Sequence, residues 1–271
     1  MKLTRHNGRT GKNGAYNPKH NDRRFDVANS EHIDTERTKQ NIYWDCYTGL
    51  SSARTRERDG ENDFSFEKIE KIYYYEHYAD HVQAQNGRNE KNRHTERNRT
   101  VDDLLTNNKT CPEESIYQIG TVEESVQGEL LAEIAVEFFA EMEERFGSHV
   151  HILDWALHLD EGTPHIHERH VFDCENRYGE LCPQQEKALE ELGIPLPDPD
   201  KKKAGTITAS RPLMQSAGRC FSVSVRSTVY IYRQSRVTAA GAIWKSRTSS
   251  LKSRKKQSPH RGKFLHRIPE P

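Results

Sequence analysis

The chain has 271 residues, with 41 Lys or Arg, 41 Asp or Glu and a formal net charge of +0. With 33% hydrophobic and 30% charged residues, it predicts one modest core among solvated helices and loops. No run of about 18 apolar residues is present, which argues against a membrane-spanning segment. The first residues also lack the apolar stretch of a secretory signal, so we expect a cytoplasmic protein.

The cysteines and the charge distribution bound the organisation further. Five cysteines without a CxxC pair argue against a disulfide framework and against a cysteine zinc site. Residues 201–271 hold 17 Lys or Arg and one acid, whereas residues 1–200 hold 24 and 40. We therefore predict a folded domain over residues 1–200 and a basic tail over residues 201–271.

The first half of the chain predicts few regular elements. Residues 1–60 are polar and indicate a strand or two between loops. From Phe64 to about Gln85, apolar and aromatic residues recur at near-helical spacing, which predicts an amphipathic helix. Residues 86–99 have no apolar period and predict an exposed connection of mixed charge.

The next elements have stronger patterns. Residues 115–120 predict a short strand, and an apolar residue at every fourth position from Val126 to Phe146 predicts a second helix that ends at Gly147. Val150–Leu157 is rich in β-branched and aromatic residues, and a similar run begins at His165. Because so short a turn joins them, these two strands must pair antiparallel.

Three histidines at the facing ends of this hairpin form a candidate cation site. On a strand, side chains at i and i+2 leave the same face, so His165 and His167 present two imidazoles together while Ile166 points behind them. His158, at the end of the preceding strand, can supply a third nitrogen. Such a site keeps positions open for water or a phosphate oxygen, which favours catalysis over a purely structural role.

Two segments resemble motifs of a known family. HLDEGTPHIH, residues 158–167, resembles the third motif of the MobV (Pre/Mob) plasmid mobilisation and recombination relaxases, which belong to the HUH endonuclease superfamily. GAYNPKHNDRRFD, residues 14–26, resembles the first motif of that family. The second motif is represented by NIYWD, residues 41–45, in which the tyrosine is displaced by one position.

The resemblance implies a fold and an activity. The fold is α+β, with an antiparallel sheet that carries the HUH hairpin, flanked by amphipathic helices and followed by an irregular C-terminal tail. The activity is metal-dependent nicking and strand transfer of single-stranded DNA at a plasmid origin of transfer, through a covalent 5′-phosphate intermediate. The implied cofactor is Mn²⁺ or Mg²⁺, although three imidazoles alone would equally suit zinc, cobalt or nickel.

The resemblance also implies roles for individual residues. The cation ligands are His158, His165 and His167, and Glu161 is the acid that orients or activates the nucleophile. His20 is the implied nucleophile, with Tyr43 and Tyr16 as the fallback candidates. Arg23 and Arg24 could hold adjacent phosphates, and Tyr43 either positions the substrate or packs in the core. The partners are origin DNA and other mobilisation proteins; the oligomeric state stays open.

Two alternatives to this enzyme remain, and the tail has two explanations. The chain could be a catalytically inactive DNA-binding remnant of a relaxase, or another metal-dependent phosphodiesterase, acting for example on RNA. From about Ala204 the tail could be out of frame relative to an ancestral gene, and we then expect it to be disordered. Alternatively it is an evolved basic segment that binds the DNA backbone nonspecifically.

Overall fold

The computed structural model describes residues 3–9, 18–53, 65–121 and 126–194, with the backbone alone described for residues 3–9. The predicted tail, the predicted boundary near residue 200 and Tyr16 lie outside these ranges. Within them, no helix has the length and apolar character needed to cross a membrane.

The described strands form one antiparallel sheet. Its strands are β1 (Leu3–Arg9), β2 (Ile42–Asp45), β3 (Gly49–Ser52), β4 (Glu113–Ile119), β5 (Val150–His158), β6 (His165–Glu175) and β7 (Leu181–Pro183). Their order is β1-β4-β6-β5-β2-β3, and β7 pairs with β6 outside this path. The second histidine-bearing strand, β6, therefore lies between β4 and β5 at the centre of the sheet.

Helices cover both faces of the sheet. They are α1 (Pro18–Asn21), α2 (Phe66–Lys91), α3 (Val101–Thr106), α4 (Gly128–Phe146) and α5 (Gln185–Glu191). Short 3-10 turns occupy Val27–Asn29, Arg37–Gln40 and Thr95–Arg97. The Ser65 side chain accepts a hydrogen bond from Lys68 N at the start of α2, and Thr100 and Asp103 form a capping box at the start of α3. Both caps satisfy backbone N–H groups that a helix leaves unpaired.

The α2 face of the sheet holds an aromatic core. Tyr73, Tyr74 and Tyr78 of α2 are buried in one cluster with Leu153 of β5 and Val171 of β6. The Tyr78 hydroxyl donates a hydrogen bond to Asp173 of β6 at 2.9 Å. This hydrogen bond satisfies both buried polar groups, so the Tyr78 hydroxyl can be buried without an unpaired donor.

The α4 face holds a second aromatic contact layer. The ring centroid of Phe138 lies 5.1 Å from that of Tyr117 in β4, and the centroid of Phe139 lies 5.4 Å from that of Trp155 in β5. The spacing of apolar residues along α4 faces them to the sheet, as the sequence predicts.

A β-bulge in β5 determines which face of the sheet each later side chain of that strand lies on. Ile152 pairs with His170 and Asp154 pairs with Arg169, so Leu153 is an extra residue without a partner in β6. Before the bulge His151 contacts the α2 face, whereas after it Ala156 does, so the alternation of faces shifts by one residue. As a result His158 shares the α2 face with His165 and His167.

Most predicted elements are confirmed, with differences in extent: residues 1–60 contain three described strands where one or two were predicted, and β4 spans Glu113–Ile119 where residues 115–120 were predicted. The α+β class, the antiparallel hairpin and the strand near residues 115–120 are present. The first long helix extends to Lys91 instead of ending near Gln85, so residues 86–91 of the predicted connection are helical. Asn86 exchanges hydrogen bonds with the backbone of Arg99, and Arg88 pairs with Glu180, so tertiary contacts stabilise this helical end.

Candidate metal centre

The three predicted ligands converge at one end of the hairpin. His158 and His165 are directly paired across β5 and β6. Their ring centroids are 5.3 Å apart, and the centroid of His167 lies 4.9 Å from each of them. His158 is fully buried, and the other two rings are largely buried. The short turn between the strands and the bulge in β5 together bring these three rings onto one face.

One nitrogen of each ring is held by an oxygen acceptor. His158 Nε2 lies 2.9 Å from the backbone oxygen of Asn21, and His165 Nδ1 lies 2.8 Å from that of Thr163. His167 Nδ1 lies 3.0 Å from the Glu114 carboxylate. Because a carbonyl or carboxylate oxygen can only accept, each of these ring nitrogens must be the N–H donor. The remaining nitrogen of each neutral ring therefore carries a lone pair.

These lone pairs fit a shared cation. His165 Nε2 and His167 Nε2 are 3.1 Å apart, a distance at which two acceptor nitrogens repel unless a cation or a proton lies between them. His158 Nδ1 is buried and has no hydrogen-bond partner among the described residues, which costs free energy unless something binds it. Nitrogen ligands about 2.1 Å from one ion would lie at comparable separations from each other. The donor set thus suits a divalent transition metal.

Burial favours the neutral form of His158 and His165, which ligation requires. Burial, followed by the nearby Arg23 guanidinium, lowers the pKa of His158 well below its usual value. Burial and the proximity of His167 lower the pKa of His165. A neutral ring offers a lone pair to a cation, whereas an imidazolium does not.

His20 and Glu161 complete the cluster. His20 lies in α1, and its ring centroid is 5.3 Å from that of His158 and 5.4 Å from that of His167. Glu161 Oε1 lies 3.4 Å from His20 Nε2 and 3.7 Å from His158 Nδ1. Burial and the neighbouring charge of Arg23 lower the pKa of His20 to about 4. His20 is therefore a neutral imidazole at neutral pH, as nucleophilic attack or ligation requires, and Arg23 Nη1 lies 3.3 Å from its Nε2.

Two overlapping groups of side chains could hold an ion, and neither of them contains all three predicted ligands. The ligand atoms of His158, Glu161 and His165 lie within 4.8 Å of one another, and so do those of His20, His158 and His167. His20 is thus close enough either to attack a substrate bound at the cation or to bind the cation itself.

Arg23 links the N-terminal segment to the histidine hairpin. Its guanidinium donates to both carboxylate oxygens of Asp160 at 3.0 and 2.7 Å, and to Glu161 Oε1 at 2.6 Å. A third nitrogen donates to the backbone oxygen of His20 at 3.0 Å. Asn41 and Thr38 also donate to Asp160. This buried network fixes His20 and Glu161 relative to each other.

Three solved structures resemble this chain. All are Mn-bound crystal structures of the MobM relaxase domain (MOBV; Mob_Pre) bound to plasmid pMV158 oriT DNA. Two are 17% identical to the chain and cover 78% of it and 98% of themselves, with TM-scores of 0.40 and 0.41. The third is 16% identical, covers 78% of the chain and 99% of itself, and has a TM-score of 0.39. No protein-family model and no curated protein matches the chain.

The three residues predicted to contact DNA occupy different positions. Arg23 is buried and its guanidinium pairs with Asp160 and Glu161. Arg24 is half-exposed and lies 3.5 Å from Asp22. Tyr43 is 2% exposed and packs edge-on against Phe66. The core-packing interpretation of Tyr43 is therefore the one that this geometry supports.

Sequence reasoning missed the side chains that hold the ligands. Glu114 binds His167 and also accepts from the Asn21 side chain at 2.9 Å, which joins β4 to α1. The predicted strand began at Ser115, so Glu114 fell outside it. Its position next to an apolar strand indicates burial, which the structure shows at 2% exposure. A buried carboxylate needs a specific partner.

Proposed function

We propose that this chain is a metal-dependent relaxase that nicks single-stranded DNA and remains covalently attached to the 5′ phosphate. The observation that carries the proposal is the clustering of the His158, His165 and His167 rings, with centroids 4.9–5.3 Å apart, beside His20 and the Glu161 carboxylate. The motif resemblance of residues 14–26 and 158–167 supports the same activity from an independent direction.

The residues that would hold the cation are the three hairpin histidines. A divalent cation there would neutralise charge on a non-bridging phosphate oxygen. Glu114 and the backbone oxygens of Asn21 and Thr163 orient the imidazoles for that purpose.

His20 is the proposed nucleophile. Its imidazole nitrogen forms a bond to phosphorus while the bond from phosphorus to the 3′ oxygen breaks, and the departing 3′ oxygen takes a proton from water. Glu161, 3.4 Å from His20 Nε2, accepts the imidazole proton as the new bond forms. Reversal of these steps reseals the strand.

A covalent-capture experiment tests this function. The purified full chain is incubated with Mn²⁺ and a library of random single-stranded 40-nucleotide DNAs, then denatured, and the attached DNA is sequenced. We expect protein-bound 5′-phosphoryl DNA that shares one sequence. His20→Ala should abolish the adduct, whereas His94→Ala, at an exposed histidine away from the centre, should retain it. Absence of any adduct from a chain that binds Mn²⁺ would refute the proposal.

A second function is favoured by one observation. The ligand atoms of His20 group with those of His158 and His167, as expected if His20 binds the cation and water is the nucleophile. The chain would then be a metal-dependent phosphodiesterase. It would cleave DNA or RNA without forming an adduct, and the capture experiment separates the two functions.

A further inference from the structure

An open cavity of about 600 Å³ lies far from the hairpin histidines His158, His165 and His167. It is bordered by the C-terminal half of α2, the turn between β6 and β7, and the start of α5. We call it the Tyr178 groove and define it by Gln85, Arg88, Asn89, Arg177, Tyr178 and Lys187. Because β6 has 11 residues and rises about 3.3 Å per residue, the groove lies about 30 Å from His165.

The lining of the groove is basic. It includes Arg88, Arg177 and Lys187, and no Asp or Glu lines it, although residues 1–200 hold 40 acids and 24 bases. Arg88 is compensated by Glu180 and Lys187 by Glu191. In the described part of the chain, Arg177 forms no ion pair; its guanidinium donates to the Tyr178 hydroxyl and lies over the Tyr178 ring. Its charge is available to an anionic ligand.

The groove also carries an aromatic platform. Tyr178 is 52% exposed and is the one large hydrophobic side chain that is exposed within the described ranges. The guanidinium carbons of Arg88 and Arg177 lie 4.1 and 4.7 Å from its ring centroid. Aromatic rings and guanidinium planes both stack on nucleic-acid bases, whatever the base.

We propose that the Tyr178 groove binds single-stranded nucleic acid. Bases stack on Tyr178, and Arg177 contacts a phosphate. The groove would hold a stretch of the strand distant from the scissile bond. That this strand is DNA rests on the proposed function, whereas binding of a single strand as such does not.

The test uses the full chain stripped of cations with a chelator, so that no nicking occurs. Binding of a fluorescein-labelled 12-mer of deoxythymidine is followed by anisotropy. Tyr178→Ala should raise the Kd about fivefold or more, because base stacking on an aromatic ring contributes about 1–3 kcal/mol. Tyr178→Phe should bind as the unmodified chain does. Arg177→Glu should raise the Kd. It should also reduce the slope of log affinity against log salt concentration by about 1, the effect of losing one phosphate contact.

Controls distinguish the groove from general electrostatics. Arg145→Glu removes an exposed arginine from α4, on the other face of the sheet, and should leave the Kd within twofold. Hydrogen exchange should slow in residues 173–187 when the 12-mer is added. A uridine 12-mer and thymidine monophosphate serve as further probes: we expect protection by both 12-mers and little by the nucleotide.

Several results would overturn the proposal. These are an unchanged Kd in both Tyr178→Ala and Arg177→Glu, protection confined to the histidine hairpin, or full protection by the mononucleotide with none added by the 12-mers. Failure here is separable from failure of the proposed function. A chain that binds through the groove but forms no adduct contradicts only the nicking activity, and an adduct with unaltered groove variants contradicts only the groove.

Discussion

At the scale of single residues, Glu114 is the clearest case of a side chain that acts through a ligand. It holds His167 in the tautomer that leaves Nε2 for the cation. Glu114→Gln should weaken Mn²⁺ binding about 10–100-fold, the usual cost of losing a partner behind a metal-ligating histidine. Titration calorimetry measures this, with Glu113→Gln as the matched control, since Glu113 instead contacts Gln185. Equal affinities in the two variants would contradict the assignment.

Arg23 and Arg24 are neighbours with very different expected contributions to stability. Arg23→Ala leaves the Asp160 and Glu161 carboxylates without their cation, and we expect a loss of about 3–5 kcal/mol in the free energy of unfolding. Arg24→Ala removes a half-exposed pair and should cost about 0–1 kcal/mol. Urea denaturation compares the two. Similar losses would show that the Arg23 network is not a stabilising feature.

Glu180 makes stability depend on pH in a predictable direction. The hydrogen bond from Arg88, outweighing burial, lowers the pKa of Glu180. A carboxyl group with a lower pKa in the folded chain than in the unfolded chain stabilises the fold above its unfolded value of about 4.3, and this contribution is lost as the pH falls. The difference between the unfolding free energies of the unmodified chain and of Glu180→Gln should therefore shrink progressively as the pH falls below about 4.3. A constant difference would contradict the coupling.

At the scale of elements, alanine substitutions at two glycines, one inside a helix and one at a helix end, should have opposite effects on stability. A Cβ at Gly87, inside α2, would meet nothing within 4 Å, so Gly87→Ala should stabilise the chain by about 0.5–1 kcal/mol. A Cβ at Gly147, after α4, would lie 2.3 Å from the Glu143 backbone oxygen. Gly147→Ala should therefore destabilise it by about 1–3 kcal/mol. Thermal unfolding gives the sign of each change, and the same sign for both would contradict this account.

Local patterns predicted the elements well where one face is buried. The spacing of apolar residues in α4 and the β-branched runs of β5 and β6 predicted these elements because periodicity follows burial. The end of α2 could not be predicted in this way, since Asn86 and Arg88 are stabilised by residues far along the chain. The bulge at Leu153 was also beyond the pattern, because alternation in a sequence does not reveal an extra residue.

At the scale of the whole molecule, the spacing of histidines and the resemblance identified side chains that the structure brings together. His20 lies 138 positions before His158 in sequence, and their proximity depends on the contacts of Asn21 and Arg23 with the hairpin. Those contacts are tertiary and have no local signal. The sequence also does not show that Asp160, 137 positions away, is the partner of Arg23. We therefore predicted only a phosphate contact for Arg23.

The uneven charge along the chain leads to a prediction about the basic tail. If residues from about Ala204 are out of frame, a chain that ends at Lys203 should bind the deoxythymidine 12-mer with unchanged Kd and unchanged salt dependence. If the tail binds the DNA backbone, the truncated chain should bind more weakly, with a shallower salt dependence. Anisotropy at several salt concentrations decides between the two.

The extra residue in β5 has a consequence for protein engineering. The residues of β5 that face α2 have odd numbers before Leu153, as His151 does, and even numbers after it, as His158 does. Grafting this histidine triad onto a regular two-stranded scaffold by counting alternate positions from His151 would place the third imidazole on the wrong side. A transplanted hairpin must therefore include the irregularity together with the ligands.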